Sequence, residues 1–336
     1  MRLLRTVFAD SSTQIREIDQ VLGEIVDVSG GRLLYRRGTP PYHMSLVLRD
    51  VASGTDQVIF DSAGIMPSGR LTVVGAIVDA HDIVRGTTRT YDWRNGVLSE
   101  FAPGRSPITV LKVAGRYAVW SAGTALYRRD LVAQVDDQLP AGSGFSDLAA
   151  NGDVVWSARV GPRVQVFVWR NGATTQLTFD TDADNRDPAT DGVNVVYTKV
   201  PTCCATFWFA AYTARGEELL TPNQGAGGLT LQGVHYMPNN GWIAYTQEGA
   251  TGGPRQVWTR SPTGTKQQLT VFANTSVLES VGPNGEVVFG SGTGRYLVRS
   301  VIGASPRRIN SRLGTAYLEA PDMFVAIGRV LFKATP

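Results

Sequence analysis

The chain is 336 residues long, 43% hydrophobic and 18% charged, with 37 glycines and 17 prolines. That balance excludes wholesale disorder and allows a large buried core cut by many turns. A net charge of +3 without a run of Lys or Arg excludes a phosphate-binding stripe, so nucleic acid is not an expected partner. No apolar run reaches the roughly 20 residues of a membrane span, so no membrane insertion is expected either.

In chain order, residues 3–8 and 14–18 read as a hairpin with no inner strands of its own. Residues 1–10, interrupted by Arg5 and Asp10, are too short and too charged for a secretory h-region. The compartment is left open: periplasmic or extracellular is favoured only if an export signal was removed. Beyond this segment one pattern returns along the whole chain: a Gly, two to four mostly apolar residues, then an aromatic. The copies are Gly31-Arg-Leu-Leu-Tyr35, Gly115-Arg-Tyr-Ala-Val-Trp120, Gly152-Asp-Val-Val-Trp156, Gly192-Val-Asn-Val-Val-Tyr197, Gly241-Trp-Ile-Ala-Tyr245, Gly285-Glu-Val-Val-Phe289 and Gly328-Arg-Val-Leu-Phe332. A degenerate copy, Gly75-Ala-Ile-Val-Asp79, has Asp where the aromatic belongs. The copies recur about every 42 residues, the length of four short strands and their turns.

The second unit places a strand over 88–93, a turn at Arg94-Asn95-Gly96 and a strand over 97–101. The fourth places strands over 146–150, 153–156, 164–169 and 174–177, with Asn171-Gly172 as the tight hairpin between the last two. No long segment carries helical apolar spacing. The expected fold is all-β: a single closed β-propeller domain over residues 1–336, with eight four-stranded blades. After Phe332 the last unit has only two strands, around 316–324 and 329–333, so the eighth blade is split between 1–20 and 315–336 and the N-terminal hairpin completes it. The alternative is a seven-bladed ring with one unit packed elsewhere.

The fourth unit, Gly152-Asp-Val-Val-Trp156 … Trp169-Arg-Asn-Gly-Ala-Thr-Thr-Gln-Leu-Thr178 … Asp187-Pro188 … Asp191-Gly192, resembles the TolB-like propeller repeats of bacterial cell-envelope and secreted proteins. The resemblance implies a propeller that binds protein or glycan without chemistry, and it transfers no active site.

In such a topology the loops between second and third strands open on the same face as the inter-blade connections. The expected ligand residues there are the aromatic and Arg groups Tyr42, Arg85, Arg163, Trp208, Arg255 and Arg295, which give contact area and charge-assisted bonds. The alternative function is a polysaccharide lyase acting on an acidic glycan, with His43, His81 and Arg85 as its acid/base or metal constellation. Asp180, Asp182, Asp184 and Asp187 have spacings that could wrap Ca²⁺; the other reading is a solvated acidic turn, and otherwise no cofactor is expected. Cys203 and Cys204 are the only cysteines, so no long-range disulfide staples one chain; they are two thiols, or a strained bond between neighbours in an oxidising compartment. His235 reads as a hydrogen-bonded channel residue, and the recurring aromatics as inter-blade packing.

Overall fold

The computed structural model describes residues 14–40, 42–105, 107–140, 144–203, 207–221, 235–248, 253–292, 294–299, 307–310, 315–319, 322–327 and 330–335. The predicted strand over 3–8, Cys204 and residues 231–234 lie outside them. Among the described residues there is no helix, and the strands form eight four-stranded antiparallel sheets. Seven of these sheets take their four strands consecutively from the sequence. The first, for example, runs Glu24–Ser29, Arg32–Thr39, His43–Asp50, Asp56–Ser62, and the fourth Asp147–Leu148, Val154–Val160, Arg163–Arg170, Ala173–Gln176.

In the first seven sheets the second strand is buried on both sides. Leu33, Leu34 and Tyr35 are fully buried, as are Ala118, Val119 and Trp120, and Val287, Val288 and Phe289. Sheets stacked face to face cover both surfaces of such a strand, which is why it reads as a continuous apolar run rather than as an alternation. Leu34, Leu46 and Ile59 of the first sheet pack on Leu71, Ala76 and Val78 of the second; Val155, Val166 and Val168 of the fourth pack on Val195, Tyr197 and Ala210 of the fifth. The repeat aromatics fill these seams.

The turns explain the motif. Asn95-Gly96 and Asn171-Gly172 each have two successive left-handed residues (φ 49° and 83°, 51° and 81°), the type I′ geometry that joins twisted strands in two residues. The motif glycine occupies the turn between first and second strands, with φ between 54° and 90° at Gly31, Gly115, Gly152, Gly192, Gly241 and Gly285.

Gly75 is different, and corrects the reading of the second copy. It is the first residue of the Gly75–Asp82 strand, placed so that a Cβ would stand 1.9 Å from the Trp93 carbonyl oxygen. Counting forward from it overshoots by one residue. The position of Tyr35 and Trp120 belongs to the buried Val78, and Asp79 faces the other way, towards the third sheet.

The last sheet is also assembled differently from the expectation. Thr315–Glu319, Asp322–Ile327 and Val330–Thr335 supply three of its strands and Gln14–Gln20 the fourth, paired from Gln14 with Thr335 to Gln20 with Val330. The division is three and one, not two and two. Phe332 therefore lies on the third strand, and the place held by Tyr35 and Trp120 on the second strand belongs to Val325, the cross-strand partner of Phe332. Leu331 and Phe332 gain a hydrogen-bonded neighbour at what would otherwise be an open edge.

Candidate functional site: the face of the hairpin loops

Because strands alternate in direction, each hairpin between second and third strands emerges at the same end as the connection to the next sheet. Direct bonds join the two sets of loops. The Arg163 Nε donates to the Thr181 carbonyl (2.8 Å), and the Thr202 amide donates to the Asp182 carbonyl (2.9 Å). The Ile83 amide reaches Gly64 (3.2 Å), and the Ser291 hydroxyl reaches Asn274 (3.3 Å).

On this face five apolar side chains stand in solvent: Leu22 (71% exposed), Tyr42 (76%), Val84 (88%), Phe179 (73%) and Val271 (87%). Every large apolar residue above 70% exposure among the described residues is at this end; the exposed Val73, Val97, Val132 and Val193 at the opposite end reach no more than 65%.

Phe179 and Val271 are held in place by the same device. In the fourth sheet the Val166 amide donates to the Thr178 hydroxyl (2.9 Å), which donates to Gln165 Oε1 (2.7 Å), while Gln165 Nε2 donates to the Asp180 carbonyl (2.7 Å). In the sixth, Val257, Thr270, Gln256 and the Phe272 carbonyl repeat the pattern at 2.8, 2.8 and 2.7 Å. Phe179 and Val271 sit between the two anchored residues in each case. Sequence reasoning passed over both; the repeated pairing of Gln165-Val166 with Leu177-Thr178, and of Gln256-Val257 with Leu269-Thr270, is the signal that would have found them.

The predicted residues fall into three groups. Tyr42 and Arg85 are exposed on the first and second hairpins, with Arg85 Nη1 on Asp82 Oδ2 at 3.1 Å. Hydrogen bonds from the Arg85 and Val84 amides hold the Asp82 carboxyl below its usual range. Arg163 and Arg255 are tied down, Arg163 as above and Arg255 to Glu248 at 3.4 Å, while Trp208 is half-buried at the start of the Trp208–Thr213 strand. Arg295 pairs through its backbone with Gly290 and Asn310.

His43, His81 and Arg85 are each engaged on their own sheet. His43 Nε2 is 2.7 Å from Asp61 Oδ1, and His81 Nδ1 is 3.1 Å from Thr88 Oγ1. The Ser45 hydroxyl, then His43, keep Asp61 below the usual carboxylate range. Asp180 binds Lys199 (2.7 Å) and Asn185 (2.9 Å), and Asp184 binds the Val164 amide (3.0 Å) and Arg186 (2.6 Å). Asp182 contributes its carbonyl to Thr202, and Asp187 its carbonyl to Tyr236. Among the described residues no three His, Cys, Asp or Glu side chains are grouped to hold a metal ion. Cys203 is exposed on the fifth hairpin.

A cavity of about 920 Å³ runs along the first strands of the third to seventh sheets, lined among others by Lys112, Asp147, Asp187, His235, Tyr236 and Glu279. Lys112 and Asp147 are ion-paired with each other. His235 is a lining residue, as expected, 9% exposed and stacked on Phe209 with ring centroids 5.9 Å apart. Burial, then the Arg255 guanidinium 3.5 Å from Nδ1, push its pKa down to about 4.

No family model and no curated protein matches the chain. Among solved structures it is similar to the computationally designed Ika8 protein, with 14% identity, 95% of this chain and 98% of that one covered, and a TM-score of 0.54. It is also similar to the β-propeller domain of the Trilobed protease from Pyrococcus furiosus, at 8% identity over 87% of this chain and 99% of that one, with a TM-score of 0.51. TolB from Acinetobacter baumannii is a looser match, 13% identical over 91% and 79% of the two chains, with a TM-score of 0.34. The first two likenesses are of fold: the chain is an all-β protein of four-stranded antiparallel sheets arranged like those of β-propellers.

Proposed function

We propose that the sheets are the eight blades of one closed ring, a single domain, and that this ring is a non-catalytic receptor for a protein or glycan ligand on its loop-rich face. Support for the ring comes from the first strands, each of which contacts the first strand of the next sheet, with Thr315–Glu319 touching both Ser276–Val281 and Glu24–Ser29. Gln14–Gln20 joins the two ends of the chain in one blade.

The single observation that carries the binding function is the gathering of the most exposed apolar side chains at one end. Exposed apolar area of this kind, rimmed by Arg and Asp, favours a protein partner, because burying it against another surface returns about 25 cal/mol per Å². The separate engagement of His43, His81 and Arg85 favours binding over lyase chemistry, since acid and base must meet at one reacting atom.

The test is capture from a native extract and on a glycan array with two variants. One carries Tyr42→Ala, Val84→Ser, Phe179→Ser and Val271→Ser; the other carries Val73→Ser, Val132→Ser and Val193→Ser at the opposite end. Capture should be lost in the first and kept in the second. Equal capture by both, or unsaturated products from an acidic polysaccharide, would overturn the proposal.

A further inference from the structure

The correction at Asp79 exposes a second, smaller site. Asp79 faces the third sheet together with its cross-strand partner Ser68 and its neighbours His81 and Thr88. A cavity of about 360 Å³ lies there, closed on the far side by Ile108 and Thr109 and at its inner end by Arg70. That volume is at the small end of ordinary ligand pockets.

Many carboxylates and guanidiniums of the molecule meet, as in Arg129 with Asp136 and Arg170 with Asp153. In the cavity Arg36, a further lining residue, is ion-paired with Glu24, whereas Arg70 and Asp79 are half-buried, opposite in sign, and make no ion pair with each other or with any described residue. Register places them diagonally, Arg70 opposite Ile77 and Asp79 opposite Ser68, so their Cα atoms are about 7–8 Å apart. Arg70 Nη1 is turned to the Val110 carbonyl (2.8 Å), and Asp79 Oδ1 accepts from the Thr90 hydroxyl (2.8 Å). Both keep further hydrogen-bonding atoms for another partner: Nη2 and Nε on one, Oδ2 on the other.

A ligand complementary to this pair carries an anion and a cation on adjacent atoms. We infer that the cavity binds a small zwitterion of the α-amino acid class, its carboxylate on Arg70, its ammonium on Asp79 and Ser68, and a short apolar side chain against Met66 and Ile108. A lone anion would leave Asp79 repelling it, and a lone cation would meet Arg70. The zwitterion satisfies both groups at once, by charge-assisted bonds. This site is separate from the apolar rim and does not depend on the function proposed for it.

The experiment is thermal-shift screening followed by titration calorimetry, with the common α-amino acids as probes and acetate and ethylammonium as controls. An amino acid should raise the Tm and bind, while the two controls do not. Arg70→Gln and Asp79→Asn should each weaken binding about ten- to hundredfold, the value of one set of charge-assisted hydrogen bonds. Circular dichroism checks the fold of each variant, and Arg70→Lys replaces Arg70→Gln if the latter does not fold. Tyr42→Ala and Phe179→Ser should leave amino-acid binding unchanged. Absence of binding by every amino acid, binding indifferent to both substitutions, or acetate binding as tightly as the amino acid would each overturn the inference.

Discussion

Acidification from pH 8 to pH 5 should destabilise the protein through one side chain, His235. Burial, then Arg255, push its pKa in the folded state down to about 4, whereas an unfolded imidazole titrates near pH 6.5. Between those values the unfolded chain binds a proton that the native chain does not. The stability linked to this group is thus fully present above about pH 6.5 and is lost progressively as the pH falls towards 4. At pH 5 the loss amounts to about 2 kcal/mol, and it levels off at about 3 kcal/mol below pH 4. The carboxyls of Asp61, Asp82 and Asp184 are held below their usual range and titrate beneath this window. Urea unfolding at pH 8 and pH 5, on the wild type and on His235→Phe, isolates the effect, because phenylalanine keeps a ring against Phe209 but cannot titrate. The wild type should lose about 2 kcal/mol more than the variant between the two pH values. Parallel losses in the two proteins would refute the account.

Three further outcomes follow from the packing. Arg260 is 2% exposed and its guanidinium grips Glu218 of the neighbouring sheet, so Glu218→Gln should cost about 3 kcal/mol in urea unfolding, and Arg260→Met with Glu218→Leu should recover most of it. Removing residues 1–20 strips Gln14–Gln20 from Val330–Thr335; the melting temperature should fall by an amount equivalent to about 3 kcal/mol or more, with self-association visible by size-exclusion chromatography. Asn171→Val forces a β-branched residue to φ 51° and should destabilise by about 1–2 kcal/mol, measured by denaturant midpoint.

Residues that act through local geometry could be read directly from the sequence. The turns at Asn95-Gly96 and Asn171-Gly172, and the buried aromatics of the second strands, follow from turn chemistry and from a repeated apolar run, and both stand where the pattern puts them. The second copy was misaligned because Gly75 looks like a turn glycine in sequence, while its role is to let the strand backbone pass the Trp93 carbonyl. The 3 + 1 division of the last sheet was hidden for a related reason: Phe332 satisfies the motif in sequence, and only strand pairing shows that it lies on the third strand, opposite Val325. Arg70 and Asp79 are nine residues apart in the sequence and meet only through the pairing of Ser68 with Asp79 and of Arg70 with Ile77, so their juxtaposition is invisible to spacing alone. Arg163 and Arg255 are basic residues on the expected hairpins, yet the bond of Arg163 to Thr181 comes from an inter-sheet loop and that of Arg255 to Glu248 from the register of two paired strands, neither of which spacing alone displays.

The glutamine–threonine devices bear on how such a face could bind. An exposed phenylalanine on a mobile loop loses much of its contact energy to ordering when a partner arrives, whereas one on a fixed backbone does not. Thr178 and Thr270 are each 2% exposed, and the backbone two residues later is fastened by Gln165 and Gln256 to the third strand of the same sheet. Phe179 and Val271 have no inward path between those anchors, so their exposure is imposed by the fold. The amide of Phe272 adds a further bond to Gln256 Oε1 at 2.8 Å, and Asn185 Nδ2 adds one to Gln165 Oε1 at 3.1 Å. Each glutamine thus ties its threonine and the following loop backbone to the third strand through several bonds, which hold the loop without help from a ligand. The apolar rim is thereby presented in advance, and the cost of ordering it has been met by the folding of the sheets themselves.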